Sequence, residues 1–140
     1  MIVCGVDLKA SEARLALVKV KDGEPHSIDC KTKRLELGDD TDSASVKGLL
    51  QTIRSFSHEH HVEAFVIKAR MKSGQMASGA VSFKIETLFQ LSDTPIIFVT
   101  AKSLAGFAVT NLGGVPGSLK KYQEDAFRCG ALHLKNLKLI

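Results

Sequence analysis

The sequence predicts an α/β fold, a five-stranded mixed sheet in the order 3-2-1-4-5 with helices on both faces. Three observations predict it. Up to Leu37 the chain holds three strand-like runs separated only by turn signals, so these strands join as hairpins. From Ser43 onward, runs with helical spacing alternate with short, wholly apolar runs, the pattern of strands buried beneath crossover helices. No repeat, linker or low-complexity segment interrupts the 140 residues, so a single domain over 1–140 is expected.

The elements follow in order. Ile2 to Leu8 is nearly continuous apolar sequence, a strand buried on both faces, and Lys9 to Glu12 makes the turn. Ala13 to Val20 returns antiparallel, with Leu15 and Leu17 alternating inward. Asp22-Gly23 is a hairpin signal, because glycine accepts the positive φ that the turn requires. A more polar third strand is expected from about His26 to Leu37, near an edge. The Gly38–Asp42 loop supplies an N-cap to a helix over Ser43–His58, whose inward stripe is Val46, Leu49, Leu50, Ile53 and Phe56. Ala64 to Ile67 is the fourth strand. A second helix is predicted over Gln75–Leu91 after a break at Lys72-Ser73-Gly74, with Ala77, Val81, Ile85, Leu88 and Phe89 at helical spacing. Pro95 to Thr100 is the fifth strand, and Lys102 to Val109 a short helical piece. After the flexible Gly113–Gly117 loop, Ser118 is expected to cap a last helix reaching Leu134, with Leu119, Ala126, Phe127, Gly130 and Ala131 inward.

Composition narrows the function classes. Hydrophobic residues at 44% and charged ones at 24% are ordinary globular values. A net charge of +4 permits an acidic partner such as nucleic acid without demanding one. Trp is absent and Tyr occurs once, which leaves little material for base-stacking platforms. Cys4, Cys30 and Cys129 are odd in number and lie in separate apolar segments, so reduced thiols and a cytoplasmic location are expected. Asp7 and Lys9 stand where a signal peptide needs its apolar core, and no run approaches the ~20 apolar residues of a membrane span.

Asp7 is the anomaly of the first strand, a carboxylate ending a run that otherwise reads as core. The predicted order places it at the carboxyl end of the central strand, where open α/β sheets build their sites. The stretch "CGVDLKASEARLALV" resembles the first hairpin of the ribonuclease H-like superfamily, and within it the Holliday-junction resolvases of the RuvC type. Their first strand ends in a catalytic aspartate. The stretch "QEDAFRCGALHL" resembles their last helix, which returns a carboxylate to that aspartate. The element order resembles theirs over nearly the whole chain, and the chain also resembles a small bacterial family of uncharacterised function with this fold.

The resemblance implies catalytic roles for Asp7 and Asp125, with Glu124 adjacent, and Mg²⁺ held by Asp7 and Asp125 if the site is active. Two departures bear on that. The resolvases carry a glutamate at the end of the fourth strand, where "VEAFVIKAR" has Lys68 or its neighbours, and a second aspartate one turn before the last-helix position, where Tyr122 stands. Two-metal phosphoryl hydrolysis needs several carboxylates, and an Asp7–Lys68 ion pair would keep the fold while abolishing the metal site. Glu124 points about 100° around the helix from Asp125.

The remaining polar signals are weighed against plainer readings. Lys68, Arg70, Lys72, Lys84, Lys120 and Lys121 form candidate nucleic-acid contacts, against the plain reading of solvated lysines. His58 and His61 lack any zinc-motif context and read as cations ending a helix. The glycines of "GGVPGS" lack a P-loop ending and read as a loop. The functional expectation is a RuvC-like protein with a degenerate acidic site that binds DNA, RNA or a protein partner rather than cleaving. The competing readings are a Mg²⁺-dependent nuclease using Asp7 and Asp125, and an interaction module without a ligand. A homodimer is expected through the second helix, whose apolar groups exceed one sheet contact, with Phe83 a candidate contact.

Overall fold

The computed structural model describes residues 1–69, 79–110 and 118–140. The elements run β1 (Ile2–Lys9), β2 (Glu12–Lys21), β3 (Glu24–Ile28), β4 (Arg34–Glu36), α1 (Ser43–Glu59), β5 (Phe65–Lys68), α2 (Ala80–Gln90), β6 (Ile96–Val99), α3 (Ala101–Thr110) and α4 (Glu124–Asn136). A 3-10 turn over Lys121–Gln123 leads into α4. The sheet order is β3-β2-β1-β5-β6, with β1 antiparallel to β2 and parallel to β5. This is the predicted α/β arrangement of three hairpin-linked strands followed by crossovers. No helix among the described residues is long and apolar enough to cross a membrane.

The expected third strand is two strands. Ile28 pairs with Leu17 and Arg34 with Arg14, so residues 29–33 stand opposite only Leu15 and Ala16 of β2. The surplus residues bulge out, as an over-long segment on a shared edge must. Lys33 Nζ donates to the Cys30 carbonyl at 2.8 Å and the Cys30 thiol to the Thr32 carbonyl at 3.1 Å, which ties the bulge off. β4 thereby joins the same edge of β2, and the sheet has six strands among the described residues.

Alternation along the strands sends side chains into two cores. Cys4, Val6, Leu8, Leu15 and Leu17 pack with Leu49, Ile53 and Phe56 of α1 and Ile85, Leu88 and Phe89 of α2. Phe65 and Phe89 meet edge to face at 4.9 Å between ring centroids. On the other face Val3, Ala16, Val18 and Val66 pack with Leu104 and Phe107 of α3 and Ala126, Phe127, Cys129, Ala131 and Leu134 of α4. Asp42 caps α1 by accepting from the Ala44 N–H at 3.1 Å. The first described residue of α2 is Ala80; its expected beginning at 75–78 lies outside the described residues, as does the 113–117 loop.

The last helix begins later than expected. Ser118 is not its cap. The Gln123 side chain instead accepts from the Lys120 N–H at 3.0 Å and donates to the Leu15 carbonyl at 2.9 Å, pinning the helix entry to β2. Two glycines then seat α4 directly on the sheet. A Cβ on Gly5 would lie 1.6 Å from the Ala126 carbonyl oxygen, and one on Gly130 would lie 2.7 Å from a Val18 methyl. Only residues without a side chain allow that approach.

Candidate functional site

Period-two alternation decides which face each strand residue uses. Asp7 shares its face of β1 with Val3 and Gly5, hence with α4. In the β1–β2 register Asp7 stands directly opposite Arg14, and Arg14 opposite Arg34 of β4. Lys68, two residues after Val66, ends β5 on the same face. The seating of α4 over Gly5 brings its first turn to this edge. A cavity of about 190 Å³ results, lined from the sheet by Asp7 and Arg14 and from the chain entering α4 by Lys121, Tyr122, Glu124, Asp125 and Arg128.

The charges of the cavity are compensated by fixed neighbours. Lys68 Nζ lies 3.6 Å from Asp125 Oδ2, and Arg128 Nη1 lies 3.3 Å from Asp125 Oδ1, so both carboxylate oxygens face a cation. Arg128 Nη2 reaches Glu124 Oε1 at 3.5 Å. One guanidinium therefore joins the two adjacent acids despite their different directions around the helix. Glu12 draws in Arg14 at 3.0 Å and Arg34 at 4.0 Å. The Arg34 guanidinium lies 4.6 Å from the centroid of the Tyr122 ring, within cation–π range. The Cys129 thiol beneath reports the convergence. Its pKa is pushed up first by burial, then by the charges of Asp7 and Asp125, while Lys68 pulls the other way.

Of the residues expected at the site, Asp7, Glu124, Asp125 and Lys121 line the cavity, and Lys68, at the end of β5, pairs with Asp125. Lys120 is exposed just before it. Lys84 is elsewhere. It sits on α2, across the sheet from α4, and is held by Asp40 at 2.9 Å beside a groove lined by Val46, Leu88 and Leu91. Arg70 and Lys72 lie outside the described residues. His58 and His61 line a cleft with Arg54, Glu63 and Asp93 near the entries to β5 and β6, the opposite end of the parallel strands. Arg14, Arg34 and Arg128 were not legible as site residues from spacing alone. The signal for Arg14 is the hairpin register: a two-residue turn at Ala10-Ser11 fixes Asp7 opposite Arg14.

The resemblance implies Mg²⁺ at this cavity. Asp7, Glu124 and Asp125 share the cavity, but no group of three or more Asp, Glu, His or Cys among the described residues is arranged to hold a metal ion. Residues 70–78 and 111–117 contain none of these four types, so they can add no such ligand. Arg128 Nε, buried without a hydrogen-bond partner, is itself a donor, which a cation cannot satisfy. The residues present do not fit the ion.

The family model described as "Protein of unknown function (DUF3010)" matches residues 1–132. The chain belongs to that family. Among solved structures, this DUF3010 chain is similar to Thermus thermophilus RuvC in complex with a Holliday junction substrate, at 13% identity and a TM-score of 0.70, covering 99% of this chain and 96% of that one. It is similar to a second T. thermophilus RuvC structure at 12% identity and a TM-score of 0.71, covering 99% and 98%. The fowlpox virus Holliday junction resolvase is similar at 10% identity and a TM-score of 0.52, covering both chains in full. These likenesses establish the fold, which is ribonuclease H-like and of the RuvC type. A search of curated proteins gives no significant match.

Proposed function

We propose that this chain is a RuvC-like protein with a degenerate acidic site, which binds nucleic acid at the Asp7 edge and does not cleave it. The observation that carries the reading is the double clamp on Asp125, by Lys68 on one oxygen and Arg128 on the other. A carboxylate neutralised by fixed cations is a poor ligand for Mg²⁺, which needs near-ideal octahedral oxygen geometry. The fold relatives support nucleic acid as the partner class, since T. thermophilus RuvC was solved with a Holliday junction. Lys121 at the cavity and the exposed Lys120 just before it are the contacts proposed for the phosphate backbone, a binding mode that needs charge rather than base-specific groups.

A second reading, a Mg²⁺-dependent nuclease using Asp7 and Asp125, draws on the convergence of three carboxylates in one cavity. One experiment separates the two. Labelled linear and four-way-branched DNA are incubated with the full chain, with EDTA or with Mg²⁺, and binding and strand cleavage are read together. Binding that persists in EDTA and weakens with salt, without Mg²⁺-dependent nicking, is expected. Nicking that Asp7→Asn abolishes would establish the nuclease, and absence of binding at low salt in both buffers would favour a protein partner.

The dimer expected through the second helix stays part of the proposal. Phe83 of α2 is half-buried, and Leu91 at the end of α2 is 53% exposed, an apolar strip that a second copy of the same helix would cover.

A further inference from the structure

The misfit between this acidic cavity and a divalent ion has a positive side. Lys68 and Arg128 approach Asp125 from opposite oxygens at 3.6 and 3.3 Å, and Arg128 also holds Glu124. Asp7 lines the same cavity as Asp125, and Lys68 ends β5 on that face of the sheet, so Lys68 stands at the edge the two acids share. Its side chain is only 31% exposed and is delivered by the last residue of a buried strand, which limits where the ammonium can go. We propose that Lys68 and Arg128 are resident counter-ions of the Asp7–Asp125 cavity, fixed charges in place of a divalent cation, and that reversing the charge at position 68 is enough to let this edge take up a metal.

The chemistry is an exchange of one positive group for another. Three acids crowded at one cavity repel each other and require compensating charge. A lysine supplies it with no coordination demand and no dependence on ion concentration. A glutamate at position 68 would reverse this. It is one atom shorter than lysine, so its oxygens would stand roughly 4–5 Å from the Asp125 carboxylate, the span of two ligand distances about one shared cation. Arg128 would then be the single remaining cation on Asp125, and Asp7 a third carboxylate on the same cavity.

This deepens the reading of the site as degenerate, and the two can fail separately. The test is titration of Mn²⁺ into the full-length wild type, Lys68→Met and Lys68→Glu, read by calorimetry and electron paramagnetic resonance, with circular dichroism confirming that each variant is folded. The wild type is expected to take up no Mn²⁺ up to about 1 mM, the weak end of oxygen-ligand sites. Lys68→Glu is expected to bind one Mn²⁺ per chain at least about tenfold more tightly than wild type, Lys68→Met to fall between them, and Asp125→Asn added to Lys68→Glu to remove the gain. Wild-type binding as tight as that of Lys68→Glu, or a folded Lys68→Glu no better than Lys68→Met, would overturn the proposal. Should the glutamate variant not fold, Lys68→Met decides alone, and an affinity equal to wild type overturns it. A chain that binds Mn²⁺ without cleaving DNA would sink this inference and spare the proposed function. A Lys68→Glu chain that gains Mn²⁺ while the wild type ignores nucleic acid would do the reverse.

Discussion

Gly5 of β1 and Ala126 of α4 are in backbone contact: a Cβ on the glycine would come within 1.6 Å of the Ala126 carbonyl oxygen. This contact lies two residues before Asp7 and one after Asp125, so it sets the distance between the two acids. Gly5→Ala must push α4 off the sheet. Overpacking of this kind destabilises by about 1–3 kcal/mol. At roughly 4 °C per kcal/mol for a chain of this size, Tm should fall by roughly 4–12 °C in calorimetry. An unchanged Tm would mean that α4 does not sit on β1 as described.

Lys121 lines the cavity and Lys120 precedes it, both exposed. If they touch phosphates, Lys120→Glu and Lys121→Glu should each weaken nucleic-acid binding for all sequences alike and lower the slope of log K against log salt by about 1. Lys84→Glu is the control. Its ammonium is held by Asp40 on the opposite layer, so it should leave affinity within about twofold of wild type while losing a surface pair worth under about 1 kcal/mol. Equal losses for all three variants would mean that binding is diffuse rather than seated at this edge.

The thiols should separate by reactivity. Cys4 and Cys129 are fully buried and burial pushes both thiols up, with the charges of Asp7 and Asp125 adding to the rise at Cys129. Cys30 is half-buried on the bulge before β4, and burial raises it too, with Lys33 countering part of the rise. A thiol-exchange reagent at pH 8 should therefore modify one cysteine in the native chain, and all three once it is unfolded, because the thiolate is the reacting form. Rapid native modification of Cys129 would show that α4 lifts from the sheet.

His133, near the end of α4, has its pKa lowered by burial. The unfolded chain therefore takes up the proton at higher pH than the folded chain does, starting near pH 6.5. The sign follows: the stability is fully present above about pH 6.5 and is lost as pH falls through the lower folded value. Denaturant unfolding at pH 7.5 and 5.5 should show this loss, and His133→Gln should reduce it. An identical pH dependence in the variant would place the effect elsewhere.

Assembly is decided by sedimentation equilibrium at tens of micromolar protein. A dimer has about twice the 15.1 kDa of one chain. Phe83→Asp and Leu91→Asp should then return it to the monomer, since like charges would meet across a two-fold axis. A wild-type mass that stays near that of one chain ends the dimer proposal.

The architecture was legible because it rests on patterns the chain repeats. Alternation gives the strands, helical spacing gives Leu49, Ile53 and Phe56 on α1, and Asp22-Gly23 marks the second hairpin, with Gly23 at φ +74°. The split of β3 from β4 was not, because a polar run from His26 to Leu37 carries no mark of where a bulge interrupts pairing. Asp7 and Asp125 could be read from the two stretches that carry them. Arg128 could not be read as their clamp, because a cation three and four residues after two acids also describes an ordinary helix surface. Ser118 was a plausible cap by type. Gln123 won because its amide bonds both the helix entry and a carbonyl of β2, a tertiary contact invisible to local propensity.

The seating of α4 has a consequence for how the chain is made. Asp125 follows Asp7 by 118 residues, so at about 5–20 residues per second it is synthesised roughly 6–24 s later. The β1–β2 hairpin needs only microseconds, of order 1–10, to form. Until Asp125 is made, Ala16 and Val18, and Val66 once it has been made, have no α4 to cover them, and the apolar face stands open to chaperones and to other nascent chains. A message cut short before Glu124 would thus yield a product that lacks the acidic cavity and also adheres to its neighbours, which couples quality control of the chain to completion of its site.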